Sequence, residues 1–235
     1  ALRDASVSAA DLRVVIVSTS TPPRWTNTVS AQVGAALGTR CACFDLRTGC
    51  AGTLFSLATA ALFGGHALVI GTETFSKVIP RQHKMAMLSL GDGAGALVLG
   101  PGKGVLEKAF MRTDGALGKL ISTDGALPPT VEDIARGGYL LSGAPDALAD
   151  ALPPKYQEAL AAVGARSDDL YVPHQTTLPL MQEHGFKDVF INVDKHANVG
   201  AAGWIAAFAE RRPRDRRVAI AAVGGGMSWA GAVWS

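Results

Sequence analysis

Between residues 41 and 63 the chain passes from an apolar run (41–46, CACFDL) through Arg47-Thr-Gly-Cys50 into a long stretch of small apolar side chains (51–63, AGTLFSLATAALF). The first part predicts a strand and the last a helix. A helix apolar around its whole circumference has no face to give to water, so this one should be buried on all sides. Cys50 then lies at the start of that helix. There, unpaired N–H groups and the positive end of the helix dipole favour thiolate over thiol, and the thiolate is the nucleophile.

Other segments repeat the alternation. Strands are predicted over 12–18 (LRVVIVS), 67–71, 170–172, 189–193, 218–223 and 228–234, and helices over 29–37, 154–163, 178–184 and 198–210. Residues 1–10 read as the end of a helix. Met85–Leu90 and Ala94–Leu99 read as two strands joined through Gly91-Asp-Gly93, a hairpin-like turn signal. Residues 101–150 look irregular, with Asp114-Gly115, Asp124-Gly125 and Pro128-Pro129 marking turns. Strands alternating with helices imply an α/β fold with extensive parallel pairing. The order of strand, polar residue and small-residue helix occurs near 50 and again near 198. Each half closes on a glycine-rich turn, Gly91–Gly95 and Gly224–Gly226. Two related halves are therefore expected: 1–100 with the nucleophile, 101–153 as a connection, and 154–235.

At 235 residues the chain suits one large domain or two small ones. A net charge of +2 argues against nucleic-acid binding. No apolar run approaches the length of a transmembrane helix, and the first residues are not a signal peptide. Cys41, Cys43 and Cys50 are a poor disulfide framework and lack zinc-ligand spacing, which predicts a reducing, cytoplasmic setting and no metal. The basic cluster Arg211–Arg217 reads as a solvated turn, or as a docking patch for an acidic partner.

Five segments together resemble the β-ketoacyl-acyl-carrier-protein synthase III family of thiolase-fold condensing enzymes. They are Gly49-Cys50-Ala-Gly52, Ser89-Leu-Gly-Asp-Gly-Ala-Gly-Ala96, Val172-Pro-His174-Gln175, Ala197-Asn198-Val-Gly-Ala-Ala202 and Val223-Gly-Gly-Gly-Met-Ser-Trp229. The resemblance implies a layered α/β/α/β/α thiolase-like fold, with no cofactor beyond a CoA or phosphopantetheine thioester as substrate. The family is longer, and by this reading the chain lacks an N-terminal part that includes a first strand, central in its sheet.

By the same resemblance Cys50 takes the acyl group from acyl-CoA. The N–H groups of Cys50 and Gly225 form the oxyanion hole. A neutral His174 and Asn198 stabilise the enolate left when a malonyl thioester loses carbon dioxide. His196 competes with Asn198, which is favoured because it matches the motif and begins a helix, where a cap is expected. Trp25 would reach across a homodimer to the partner's acyl pocket, and Lys84 would contact CoA. The family often carries an arginine five residues after the histidine to dock the carrier protein; here that residue is Pro179, which weakens the case for that partner. Two other readings remain: an acyltransferase passing the acyl group to an alcohol, an amine or a carrier, and a non-catalytic partner subunit.

Overall fold

The computed structural model describes residues 1–102, 104–213 and 215–235. The first half runs α1 (Leu2–Ala5), β1 (Leu12–Ser18), α2 (Val29–Leu37), β2 (Ala42–Leu46), α3 (Gly52–Ala61), β3 (His66–Thr74), α4 (Lys84–Ser89) and β4 (Asp92–Leu99). The second runs β5 (Leu106–Thr113), β6 (Ile121–Thr123), α5 (Val131–Ala135), β7 (Leu141–Gly143), α6 (Pro145–Val163), β8 (Leu170–Pro173), α7 (Leu178–Gln182), β9 (Asp188–Val189), α8 (Val193–His196), α9 (Gly203–Arg211), β10 (Val218–Gly224) and β11 (Ser228–Trp234).

Two mixed sheets carry the architecture. The first has strand order β2-β1-β3-β4 and the second β9-β8-β10-β11-β5. In each, three parallel strands are followed by one antiparallel strand. The first sheet therefore repeats the second strand for strand, with β1, β2, β3 and β4 equivalent to β8, β9, β10 and β11. β5 is the fifth strand of the second sheet and pairs antiparallel with β11 at its edge. Among the described residues the first sheet has no strand paired beyond β4.

The helices form the remaining layers. Leu54 and Leu57 of α3 and Trp204 and Ile205 of α9 share one core with Val14, Ile16 and Val69 of the first sheet and Leu170, Val172 and Ile220 of the second. Both helices are thus sandwiched between the sheets. α2 covers the outer face of the first sheet, where Val29, Val33 and Leu37 meet Val15, Val17 and Leu68. α6 covers the second, where Tyr156, Ala159 and Val163 meet Tyr171, Ala221 and Val233. The result is the α/β/α/β/α layering. The all-apolar stretch is not buried on all sides: Leu54, Leu57 and Ala60 are buried, but Phe55, Ala58 and Thr59 on one side of α3 are only partly covered, and Leu62 and Phe63 lie past its end in solvent.

Several elements differ from the sequence reading. Residues 85–89 are helical, not a strand, and Leu90 is extended. His83 caps α4 by accepting from the Ala86 N–H (3.2 Å), and Lys-Met-Ala-Met-Leu are good helix formers. Gly91–Gly93 is accordingly the entry to β4 rather than a hairpin turn. The stretch 101–153 holds β5 and the first turns of α6, so it contributes to the second sheet and its outer layer. The predicted strand over 189–193 shortens to β9, followed by a single helical turn. The helix predicted from 198 begins at Gly203, after a 3₁₀ turn over Gly200–Ala202.

Candidate active site

Equivalent ends of the two sheets face each other around Cys50. This residue sits in a 3₁₀ turn (Gly49–Ala51) between β2 and α3, where its own N–H has no intrahelical acceptor. The glycine turn after β10 presses against it. A Cβ on Gly224 would fall 2.3 Å from the Cys50 nitrogen, and one on Gly49 would fall 2.5 Å from the Gly225 nitrogen. Only residues without side chains let these two backbones approach so closely. The contact puts the N–H groups of Cys50 and Gly225 in one small region, as an oxyanion site requires.

His174 follows β8 and is 1% exposed. Its backbone N–H donates to the Ala221 carbonyl (2.8 Å), and its Nδ1 lies 3.1 Å from where a Cβ on Gly203 would sit, at the start of α9. Burial pushes the imidazole pKa down to about 4, so the ring is neutral at pH 7. Neither ring nitrogen has a hydrogen-bond partner among the described residues. The ring nitrogen that carries the proton is a buried, unpaired donor that a substrate oxygen would satisfy by accepting from it. Gln175 fixes the loop below: its amide donates to the carbonyls of Pro173 (3.0 Å) and Phe190 (3.2 Å) and accepts from the Asn192 N–H (2.8 Å).

Asn198 lies one residue before the cap position of the Gly200–Ala202 turn, so it is not the helix cap that the sequence suggested. Its Oδ1 accepts from the Gly200 N–H (2.9 Å), and its backbone N–H donates to the Ser89 carbonyl (2.8 Å). Holding Oδ1 this way leaves the Nδ2 donors for a ligand. The turn is locked to α3, because the Thr53 hydroxyl donates to the Ala201 carbonyl (2.8 Å) and accepts from Trp204 Nε1 (2.6 Å). His196 takes no part: it is half exposed, with Nε2 3.3 Å from Glu210.

A cavity of about 850 Å³ opens beside this constellation. Ser89 and Leu90 on its wall are the residues that pair with Asn198, and Ile121 lies within 3.5 Å of the Gly225 Cβ position. Ile79, Leu148, Leu152 and Pro179 make it mainly apolar. Lys84 is exposed between two of its lining residues, His83 and Met85. Trp25 projects into solvent from the β1–α2 loop and does not line this cavity within one chain.

The thiol departs from expectation. Burial and the nearby Glu73 push the Cys50 pKa up to about 12, overriding the helix end. The helix proper starts two residues later, at Gly52, and the dipole acts over little more than a turn. Sequence reasoning did not single out Glu73, Gln175 or Thr53. Gln175 stands inside the histidine segment without a role legible there, and no short motif marks Glu73 or Thr53, whose partners lie far along the chain. Among the described residues no cluster of three or more His, Cys, Asp or Glu is arranged to hold a metal ion.

Two layered sheets of matching topology, with a cysteine turn and a glycine turn meeting between them, define a thiolase-like fold. Residues 44–115 match the family model described as 3-oxoacyl-[acyl-carrier-protein (ACP)] synthase III. The β-ketoacyl-[acyl-carrier-protein] synthases III of Rhizorhabdus wittichii and Acidiphilium cryptum are 32% and 34% identical to this chain. Each alignment covers 99% of it and 79% or 80% of the relative. The crystal structure of the Aquifex aeolicus 3-oxoacyl-[acyl-carrier-protein] synthase III superposes with a TM-score of 0.89 at 24% identity, over 100% of this chain and 80% of that one. The chain belongs to the β-ketoacyl-acyl-carrier-protein synthase III family of condensing transferases.

Proposed function

We propose that the protein joins an acyl group from acyl-CoA to the two-carbon unit of a malonyl thioester through an acyl-Cys50 intermediate. The meeting of the Cys50 and Gly224–Gly225 turns beside a neutral His174 and an oriented Asn198 amide carries this reading. Cys50 sulfur attacks the thioester carbonyl, and the N–H groups of Cys50 and Gly225 hold the developing oxyanion. One such donor contributes about 3 kcal/mol to the transition state. The carbon–sulfur bond to CoA breaks, and the thiol proton ends on the departing sulfur, so no net charge builds up in the buried site.

The malonyl thioester then takes the vacated cavity. Its carbonyl oxygen accepts from His174 and from Asn198 Nδ2. As carbon dioxide leaves, the electron pair of the broken bond becomes an enolate on that oxygen. The enolate carbon attacks acyl-Cys50, the carbon–sulfur bond breaks with its electron pair going to sulfur, and the thiolate takes one proton from solvent to become the thiol again. Retention of Asn198, which simple acyl transfer does not need, favours condensation over the acyltransferase and non-catalytic readings. Three free thiols suit a reducing, cytoplasmic setting.

Intact-mass measurement after incubation with a panel of acyl-CoAs tests the first step. The wild type should gain one acyl mass. Cys41→Ser and Cys43→Ser should load, and Cys50→Ser should not. Loading of the Cys50 variant sinks the assignment.

A further inference from the structure

We propose that Glu73 is a positioning residue of this site: its buried carboxylate ties the root of the Trp25 loop to the turn that aims Asn198, and places a negative charge where Cys50 feels it. The inference rests on the condensing-enzyme reading for its catalytic consequence, but not for its geometry.

Glu73 is the penultimate residue of β3 and is 2% exposed, an unusual place for a carboxylate without a cationic partner among the described residues. Its oxygens accept from the Ser20 N–H (2.9 and 3.1 Å) and from the Thr21 hydroxyl (2.8 Å). Thr21 Oγ1 in turn accepts from the Thr74 N–H (2.8 Å). Ser20 and Thr21 begin the loop that carries Trp25. On its other side the Glu73 side chain packs against Gly200: a Cβ there would fall 2.7 Å from Glu73 Cγ. The Gly200 N–H is the group that fixes Asn198 Oδ1, and the Ala201 N–H also faces the carboxylate. One buried acid thus touches both the loop and the turn.

The donors around it suit the ionised form, since each named partner presents an N–H or O–H. Burial nonetheless pushes the Glu73 pKa up, and Glu73 in turn raises that of Cys50. Among the described residues the Tyr156 phenol on α6, itself raised by burial and by Cys50, also couples to the thiol, and the His174 imidazole of the site is neutral. Neither places a negative charge there at neutral pH, so burial first and the Glu73 carboxylate second hold the free enzyme's Cys50 as a thiol.

The experiment reads carboxamidomethylation of Cys50 by iodoacetamide against pH, with peptide mapping to separate Cys41 and Cys43. Malonyl-CoA decarboxylation is measured in the same preparations. In the wild type Cys50 should titrate well above an ordinary thiol. Glu73→Gln should lower that midpoint by about one unit or more, equivalent to roughly tenfold faster labelling at a fixed pH below it. It should also slow decarboxylation at least tenfold. Glu73→Asp, which keeps the charge, should stay near the wild-type midpoint. An ordinary wild-type midpoint overturns the proposal whatever the variants do. So does an unchanged midpoint or unchanged decarboxylation in a folded Glu73→Gln, or an Asp variant that shifts as far as Gln. A wild type that labels as expected but neither loads nor decarboxylates refutes the condensing reading instead, and leaves the midpoint comparison intact.

Discussion

At Asn198 two jobs are separable by experiment. The residue orients its amide through Gly200, and by the proposed mechanism it acts only after Cys50 is loaded. Asn198→Ala should therefore leave acyl-CoA loading within about threefold and reduce malonyl decarboxylation by a hundredfold or more, the scale of a lost electrostatic donor. Radiolabelled carbon dioxide release checks the second step and intact mass the first; equal loss of both would mark Asn198 as structural. Cys50, His174 and Asn198 could be singled out because each sits in a short local signature, the first two following β2 and β8 and Asn198 following the single turn of α8. Glu73 was not, because Gly-Thr-Glu-Thr carries no such mark, and the groups that define its role lie at residues 20, 21, 50 and 200. The thiol's ionisation was misjudged for the same reason. The helix end is visible in sequence; the burial and the acid that outweigh it are not.

The elements that were read correctly are those whose hydrophobic period had one explanation. Leu12–Ser18, Val29–Leu37 and Ser228–Trp234 appear with the expected bounds. α6 was read as starting at Pro154 because Pro153 and Pro154 each remove a backbone donor and look like a helix boundary. Pro145 at the first helical position is the true start, with both later prolines carried in the interior. β5 was missed because Leu106 and Phe110 are its only partly buried positions, the rest being exposed, so no alternation marks it. The contact that locks the Asn198 turn to α3 is of this long-range kind. Thr53→Val keeps the volume but leaves Trp204 Nε1 without its acceptor and the Ala201 carbonyl without its donor. Two buried groups losing their partners should cost about 2 to 4 kcal/mol of stability. Urea unfolding with an unchanged slope is the measurement, and a loss below about 0.5 kcal/mol would show that the turn is held by other contacts.

For the whole molecule, β2 leaves an open edge on the first sheet, flanked by the Phe44–Phe63 ring pair at 6.0 Å and by Leu62, 85% exposed. An open strand edge beside exposed apolar side chains favours pairing with a second copy. We expect a homodimer across β2 that buries more than about 2,000 Å². That dimer would give Trp25 a pocket in the partner subunit to close. A monomer by light scattering at micromolar concentration would sink both ideas. The choice of acceptor is decided elsewhere on the surface. Pro179, on the cavity wall, offers no charge to an acidic carrier protein. The basic cluster is largely committed to its own chain: Arg211 and Arg216 pair with Asp188, and Arg217 with Asp169 and Glu107. Arg214 lies outside the described residues. Arginines already neutralised by neighbours hold a carrier weakly, and such surface attraction fades further with salt. Malonyl-CoA should therefore serve as acceptor at least as well as malonyl-carrier protein. Any advantage of the carrier at low ionic strength should shrink severalfold at moderate salt. Comparing kcat/KM for the two acceptors at both salt levels decides the point. A strong carrier preference that survives moderate salt would overturn the prediction and place docking on a surface that keeps its charges free.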